Sequence, residues 1–250
     1  MSVHIHIKRA LQSATRHFLL DVELTTNAHR IALFGASGSG KTLTIQAVSG
    51  LLTPDSGQIR VNDKVFFCSE KKINLAPQER RLAYLLQDYG LFPHLTVAQN
   101  ISFGLRKGFL NPPKKWVPDG AKKWIDAFEL GPILGNCPGE ISGGQKQRTA
   151  LARALAVNPE LLLLDEPLAA LDINLRVRMR QELAQLQRTL HIPSIIITHD
   201  PEDAIMLADE VYRIADGKIV GRCTPAELST EMQLSSERLA AELQRTALAV

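Results

Sequence analysis

The sequence predicts an α/β fold with a parallel central sheet, an added antiparallel β subdomain and a helical insert. The parallel sheet is indicated by short apolar runs at residues 30–34, 161–164 and 195–198, because a strand that is buried on both faces is apolar throughout. The antiparallel part is indicated by alternating apolar and polar residues near the amino terminus. The insert is indicated by residues 88–140, where six prolines interrupt short helical fragments.

The order of these segments predicts one domain that spans all 250 residues. Its parts are expected at 1–87 and 144–224 for the core and β subdomain, at 88–143 for the helical subdomain, and at 225–250 for a C-terminal helical tail. Within the second core segment, helices are expected from about Gly143 to Val157 and from about Leu175 to Leu190. His4 and His6 alternate with apolar residues, so we expect the solvent-exposed face of an edge strand rather than metal ligands.

Composition excludes several classes of protein. The formal net charge of +3 argues neither for nor against a nucleic-acid partner. The basic cluster Arg106, Lys107, Lys114 and Lys115 lacks an accompanying aromatic pattern, so we expect a solvated loop and no nucleic-acid partner. No run of about 18 apolar residues is present to span a membrane, and the first residues lack a secretory hydrophobic region. The three cysteines have neither metal spacing nor a disulfide pattern, which is typical of a reducing cytoplasm.

A glycine-rich loop follows the first apolar run and precedes a predicted helix. It reads Gly35-Ala36-Ser37-Gly38-Ser39-Gly40-Lys41-Thr42, which is an uninterrupted G-x-x-x-x-G-K-[ST] pattern. Glycines allow the backbone N–H groups to converge on one anion. Lys41 can then reach the β- and γ-phosphates, and Thr42 can bind Mg²⁺. The sequence therefore predicts binding of a nucleoside triphosphate, and a chance glycine-serine turn is the weaker alternative.

Polar residues follow the other two apolar runs at the point where each run stops. Asp165 and Glu166 follow one run, and His199 follows the other. Because the carboxyl ends of parallel strands share one edge of the sheet, where ligands bind, we expect these side chains to meet near Lys41.

The charges of these residues predict their roles. Asp165 is expected to hold Mg²⁺ beside Thr42, directly or through water. Glu166 is expected to orient and deprotonate the attacking water, and His199 to donate a hydrogen bond to the γ-phosphate. The alternative is that the acidic pair only starts a helix and that His199 is a surface turn residue.

Residues 141–148, Ile-Ser-Gly-Gly-Gln-Lys-Gln-Arg, closely resemble the Leu-Ser-Gly-Gly-Gln signature of the ATP-binding cassette (ABC) ATPases. The other motifs resemble that family in its own order over essentially the whole chain: Gly35–Thr42 as Walker A, Gln87 as the Q-loop, Leu161–Glu166 as Walker B, Ala170–Asp172 as the D-loop, and His199 as the switch histidine. The resemblance implies the P-loop NTPase fold of the ABC ATPases, with ATP and Mg²⁺ as cofactors. Gln87 would then be a catalytic and metal-binding residue, and Asp172 a nucleotide-site residue.

The resemblance also implies a homodimer. Ser142, Gly143, Gly144 and Gln145 would contact the γ-phosphate that a second copy binds, so that two chains sandwich two ATP molecules. Ser142 is in addition a good helix N-cap, and the helix that follows presents its dipole to an anion. The residue that stacks on adenine stays open between His17 and Phe18, although Phe18 alternates in register with core residues.

The stretch from Arg80 to His94 is most similar to the bacterial importer branch of this family, above all to importers of oxyanions such as molybdate. It implies integral membrane permease subunits as partners, a solute-binding protein as an indirect partner, and a peripheral location on the cytoplasmic face of the membrane. Leu91, Phe92 and Leu95 would either dock a membrane subunit or belong to the core. Sulfate and ferric-ion importers, and a cassette ATPase without a transport role, remain alternatives; a phosphate-loop kinase, a GTPase or a non-catalytic binding module fits less well.

Overall fold

The computed structural model describes residues 2–12, 17–108, 110–169, 171–190 and 192–234. Within these ranges, eleven strands form one continuous sheet. The strands are β1 (Val3–Gln12), β2 (His17–Thr26), β3 (Arg30–Phe34), β4 (Ser56–Val61), β5 (Lys64–Cys68), β6 (Ile73–Asn74), β7 (Leu82–Leu85), β8 (Leu161–Asp165), β9 (Ser194–Thr198), β10 (Glu210–Ala215) and β11 (Lys218–Cys223).

Half of the sheet is parallel, as the apolar runs predict. Its order is β10-β3-β9-β8-β7, and all four neighbouring pairs run in the same direction. Successive residues of these strands are buried on opposite faces: Leu162 and Leu164 pack into one hydrophobic cluster, and Leu161 and Leu163 pack into the other. The carboxyl ends of β3, β8 and β9 therefore share one edge of the sheet.

The other half is antiparallel and continues in the order β6-β5-β4-β1-β2. The β10–β11 hairpin joins it to the parallel half, and β11 pairs with β2. On β1, the side chains of Val3, Ile5 and Ile7 are fully buried, whereas His4 and His6 are half-buried on the opposite face. The prediction of an antiparallel β subdomain is confirmed, but the prediction of an edge strand for His4 and His6 is wrong, because β1 lies between β2 and β4.

Six helices accompany the sheet in the described ranges: α1 (Lys41–Ser49), α2 (Val97–Ser102), α3 (Asp119–Ala127), α4 (Gly143–Ala156), α5 (Ile173–Leu190) and α6 (Pro201–Leu207). Residues 225–234 form a further helical segment, and the rest of the predicted tail lies outside the described residues. Helix α5 begins two residues earlier than predicted, because Asp172 Oδ1 accepts the Leu175 N–H at 3.0 Å and so starts the first turn. No helix in the described part of the chain has the length and apolar composition needed to cross a membrane.

Part of the helical insert packs into the main core, so its apolar side chains are not all available to dock another subunit. Leu95, one of the three residues with docking to a membrane subunit as an alternative, is only 2% exposed and belongs to the core. Leu91 and Phe92 are half-buried, and the Phe92 ring packs against the Phe103 ring with centroids 4.4 Å apart. The docking alternative is therefore wrong for Leu95, because the turn before α2 directs this side chain inward.

Candidate active site

Residues 35–40 connect β3 to α1 and form a tight loop in front of that helix. Gly40 has φ of 106°, and a side chain there would come within 2.9 Å of Leu20 Cδ1, so only glycine fits. At Gly35, an added Cβ would collide with the carbonyl oxygen of Ile214. The glycines predicted from the motif are thus required by the path of the backbone.

The rim of this loop is open and its base is closed. Ala36, Ser37 and Gly38 are exposed, whereas Ser39 is buried, and the Ser39 carbonyl accepts the Gly217 N–H at 2.9 Å. The exposed rim adjoins the N-terminus of α1, where free N–H groups and the helix dipole favour an anion.

Lys41, the first residue of α1, turns its side chain back onto the loop. Its ammonium donates hydrogen bonds to the carbonyl oxygens of Gly35 (2.7 Å) and Ala36 (2.9 Å). The side chain is almost fully buried, and Nζ lies 3.9 Å from Glu166 Oε1. Burial lowers the pKa of Lys41, while Glu166 and Asp165 oppose that shift. The two carbonyl acceptors and the nearby Glu166 carboxylate hold the Lys41 ammonium at the loop, within reach of an anion.

Asp165, at the end of β8, faces two hydroxyl groups. Thr42 Oγ1 lies 3.5 Å from Asp165 Oδ1, and the Tyr84 hydroxyl donates to Asp165 Oδ2 at 2.7 Å. Burial raises the pKa of Asp165, and the Tyr84 hydrogen bond opposes the rise. The same contact and burial raise the pKa of Tyr84, so its hydroxyl stays a donor at neutral pH.

The oxygen atoms of Thr42 and Asp165 fit Mg²⁺. This cation prefers oxygen ligands, and it commonly takes one or two protein oxygens together with water and phosphate. A hydroxyl and a carboxylate that lie side by side next to a phosphate-type loop supply that kind of ligand set.

Glu166 is held by an unusual backbone conformation at the end of β8. Its φ is 45°, in the left-handed region that few non-glycine residues adopt, and its N–H donates to the Ile197 carbonyl of β9 at 2.9 Å. This conformation turns the side chain toward His199, whose Nδ1 lies 3.2 Å from Glu166 Oε1. Such strain is typical of functional sites, and it brings Glu166, His199 and Lys41 together as the sequence predicts.

The predicted signature segment begins α4. Ser142 and Gln145 form a reciprocal capping box: the Ser142 N–H donates to Gln145 Oε1 at 2.9 Å, and the Gln145 N–H donates to Ser142 Oγ at 3.3 Å. Ser142 is exposed, and a Cβ on Gly143 or Gly144 would touch Leu171 or Leu175 at 3.4 Å. The exposed start of α4 therefore packs beside the start of α5.

Two predicted residues make no direct contribution to the cluster around Lys41. Gln87 is exposed in the turn after β7, and the partner that β7 offers to Asp165 is Tyr84. Asp172 is exposed and caps α5. Of the three predicted metal ligands, the structure brings Thr42 and Asp165 together and leaves Gln87 apart. Ala170, in the predicted D-loop, lies outside the described residues.

The sequence reasoning missed Tyr84. This residue lies in β7, which pairs with β8 in parallel register so that Tyr84 is opposite Leu163, and its hydroxyl reaches the next polar residue along β8. The signal that could have found it is a tyrosine inside an apolar strand, since a buried tyrosine hydroxyl usually has a hydrogen-bond partner.

Proteins of similar sequence are named as ATP-binding proteins, in agreement with the phosphate-type loop described above. Over 215 residues, the chain is 40% identical to a sulfate/thiosulfate import ATP-binding protein, CysA 2 of Agrobacterium fabrum, covering 86% of this chain and 60% of that protein. Over 188 residues it is 42% identical to the molybdenum import ATP-binding protein ModC of Rhodospirillum rubrum, covering 75% and 50%. The chain therefore spans about half to three fifths of the length of these relatives.

Solved structures share the fold. CbiO1 of Clostridium perfringens, described as part of an ABC transporter complex, superposes with a TM-score of 0.76 at 26% identity over 94% of this chain and 93% of that one. The ATP-binding cassette MJ0796, solved as a dimer with ADP and Pi, gives a TM-score of 0.71 at 22% identity over 90% and 99%.

A glycine loop between strand and helix, with acidic residues at the end of a neighbouring parallel strand, defines the phosphate-loop nucleotide-binding proteins. Within that class, the ABC transporter family matches residues 19–169. The chain belongs to this family, and its fold is that of the ABC ATPase cassettes.

Proposed function

We propose that this chain is the ATP-hydrolysing subunit of a membrane importer. One observation carries the proposal: Glu166 lies within 4 Å of both the loop lysine, Lys41, and His199. A carboxylate in this position can act on a water molecule beside a bound phosphate. The two import ATP-binding proteins that the chain resembles support the class of activity.

In this proposal, ATP binds with its phosphates in the 35–40 loop. The Lys41 ammonium exchanges its carbonyl partners for phosphate oxygens, which are stronger acceptors because they are charged. Thr42 and Asp165 would hold Mg²⁺, which when bound neutralises charge on the β- and γ-phosphates. Tyr84 keeps the Asp165 carboxylate in place through its hydrogen bond.

Hydrolysis then depends on Glu166 and His199. Glu166 orients the attacking water and accepts its proton, and its strained backbone fixes the carboxylate before ATP arrives. His199 donates to the γ-phosphate, where negative charge is spread during transfer. Gln87, in the turn after β7, would be a further catalytic residue and metal ligand in this proposal.

The active form that we propose is a homodimer in which each ATP lies between two copies. The exposed Ser142 and the N-terminus of α4, a helix of 14 residues, present N–H groups that suit a γ-phosphate. Within one copy, the 35–40 loop and Lys41 already bind the phosphates of that copy's ATP. The anion at the start of α4 would therefore be the γ-phosphate of the ATP that the other copy binds. Asp172, beside the start of α4, would lie at the same interface. The dimer solved for MJ0796 supports this arrangement.

The names of the relatives support a proposal for the partners and the solute. We propose integral membrane permease subunits as direct partners, a solute-binding protein as an indirect one, and a peripheral position on the cytoplasmic face of the membrane. The solute is an oxyanion, molybdate or sulfate, since relatives named for both match at nearly equal identity. The transported ion would be chosen by the membrane partners.

The catalytic assignment is tested by Glu166→Gln, which removes the base and keeps the shape of the side chain. We expect ATP binding with turnover reduced at least about 100-fold, and an ATP-dependent dimer on gel filtration. The control is Glu160→Gln, because Glu160 forms an exposed ion pair with Arg81 that contributes little to stability. A monomeric Glu166→Gln protein with normal turnover would exclude the proposed function.

The importer assignment is tested separately by expressing the chain together with candidate permease subunits encoded in the same genome. We expect the chain to co-purify with the permeases in detergent, and vesicles of the complex to take up radioactive molybdate or sulfate only when ATP is inside. Co-purification with ribosomes or DNA instead would favour a cassette ATPase without a transport role.

A further inference from the structure

Arg176, in the first turns of α5, connects two loops that border the active site. Its Nη2 donates to the carbonyl oxygens of Ala169 (3.1 Å) and Leu171 (3.3 Å), in the loop that precedes Asp172. Its Nη1 lies 3.5 Å from Oδ2 of Asp200, the residue after His199. One guanidinium thus binds both loops, which lysine could not do in the same way, because only arginine has donors in a rigid planar fork.

Through Nη1, Arg176 contacts the turn that carries His199. The residues on either side of His199 are tied together, because the Asp200 N–H donates to Thr198 Oγ1 at 3.0 Å. Asp200 Oδ1 also accepts the Glu202 N–H at 2.9 Å and so caps α6. A displacement of the Asp200 carboxylate would therefore move the backbone from which the imidazole projects.

A buried ion pair anchors the same turn to α5. Arg180 Nε donates to Asp203 Oδ1 at 2.6 Å, and both side chains are almost completely buried. Arg180 Nη2 lies 3.1 Å from Asp200 Oδ2, and Thr198 Oγ1 donates to Asp203 Oδ2 at 3.2 Å. A buried pair of this kind is costly to break, so Arg180 acts as a fixed support. Arg176 is more exposed and reaches the loop before Asp172.

Through Nη2, Arg176 contacts the loop before Asp172, which faces the proposed dimer interface. Leu171, whose carbonyl Arg176 binds, lies 3.4 Å from the position of a Cβ on Gly143, at the start of α4. Asp172 itself is exposed. A second copy that docks against this part of the surface would therefore press on the loop that Arg176 holds.

We propose that Arg176 is a positioning residue that transmits contact between the two copies from the loop before Asp172 to His199. When the partner copy packs against this loop, the guanidinium holds the Asp200 carboxylate, and the His199 turn is fixed with its imidazole beside Glu166. Hydrolysis is thereby linked to closure of the dimer. The inference rests on the proposed function, since it assigns a task to His199 within it.

The test is a double-mutant cycle on ATP hydrolysis with Arg176→Ala, His199→Ala and the double variant. We expect Arg176→Ala to lower kcat by about 10- to 100-fold, because a displaced catalytic group costs this much, with the Kd for ATP changed less than about twofold. The double variant should be no slower than His199→Ala, because Arg176 acts through His199. Losses that multiply in the double variant, or a weaker Kd with kcat unchanged, would overturn the proposal.

Two further variants separate this role from a purely structural one. The exposed Arg178 on α5 is the matched control, and Arg178→Ala should keep the kcat of the wild type. If Arg176→Ala does not fold, Arg176→Lys tests the same link, since lysine keeps the positive charge but lacks the planar fork that contacts both loops, and the Arg180–Asp200 contact stays in place. We expect the same loss of kcat and no further loss when Arg176→Lys is combined with His199→Ala.

The cycle also distinguishes this proposal from the proposed function. If His199→Ala hydrolyses ATP as fast as the wild type, the role assigned to His199 fails and the Arg176 proposal fails with it. If His199→Ala is slow and Arg176→Ala is as fast as Arg178→Ala, the proposed function stands and the Arg176 proposal alone is refuted.

Discussion

Tyr84→Phe removes one oxygen atom and with it the hydrogen bond to the buried carboxylate of Asp165. The bond is short, at 2.7 Å, and its acceptor residue is only 6% exposed. A hydrogen bond to a charged group contributes about 1.5–3 kcal/mol, and a buried acceptor that loses its donor pays for its desolvation. We therefore expect the free energy of unfolding to fall by about 2 kcal/mol at neutral pH.

This loss should depend on pH. Burial raises the pKa of Asp165 above its ordinary value of 3.8, so the stability that this group contributes is present at low pH and is lost as the pH rises through the raised pKa. The hydrogen bond from the Tyr84 hydroxyl stabilises the charged form of the Asp165 carboxyl, so it reduces the stability that the protein loses as the pH rises. With a protonated carboxyl the same hydroxyl contributes as a neutral hydrogen bond, about 1 kcal/mol. The destabilisation by Tyr84→Phe should therefore be larger at about pH 7.5 than at about pH 4, as measured by urea unfolding.

Catalysis provides a second measurement on the same variant. If Asp165 helps to hold Mg²⁺, loss of its supporting hydrogen bond should raise the Mg²⁺ concentration for half-maximal ATPase activity by about 10-fold or more. Tyr212→Phe is the control, because the Tyr212 hydroxyl donates to Glu210 Oε2 at 3.0 Å or to the Thr25 carbonyl at 3.2 Å, away from the loop. It should lower stability and leave the Mg²⁺ dependence unchanged. Equal Mg²⁺ dependence of Tyr84→Phe and wild type, with a loss of stability that does not vary with pH, would refute this reasoning.

Three other variants test separate parts of the structure. Lys41→Ala should weaken ATP binding by about 10- to 100-fold in calorimetry, because a charged hydrogen-bond donor to phosphate is lost; undiminished affinity would contradict the assignment of the loop. Ser142→Ala should lower the free energy of unfolding by about 1 kcal/mol, because an N-cap is lost. In the Glu166→Gln background it should also prevent the ATP-dependent dimer. The control Thr96→Ala removes the equivalent cap of α2 and should leave that dimer intact. Arg80→Met should lower the free energy of unfolding by about 3 kcal/mol or more, because the buried guanidinium, whose pKa burial lowers to about 10, donates to the last carbonyls of α1; urea unfolding within about 1 kcal/mol of wild type would contradict that role.

The sequence predicts those parts of the site that depend on short stretches of neighbouring residues. A strand that is buried on both faces has an unmistakable apolar pattern, so the ends of β3, β8 and β9 were predictable, and the residues that follow them had to share one edge. The N-cap at Ser142 was predictable for a similar reason, since a cap acts within the first turn of its helix. The proximity of Lys41, Glu166 and His199 follows from these local rules.

The remaining features depend on contacts between distant parts of the chain. Tyr84 reaches Asp165 only because β7 pairs with β8, and that pairing has no local signal. The bridge from Arg176 to Asp200 spans 24 residues and requires α5 and α6 to pack together. Leu95 was ambiguous because an apolar residue in a turn can face either the core or a partner, and only the packing of the insert decides. Gln87 is exposed on the turn after β7, and its role in the site stays a prediction.

The central claim is that each ATP is bound by the 35–42 loop of one copy and by the start of α4 of another. The most direct measurement is a crystal structure of the Glu166→Gln protein with ATP and Mg²⁺. We predict that Ser142 Oγ and the N–H groups of the residues that follow it lie at hydrogen-bond distance, about 3 Å, from the γ-phosphate held by Lys41 of the other copy. A structure in which residues 142–145 lie far from every phosphate, in their own copy and in its neighbours, would contradict the account.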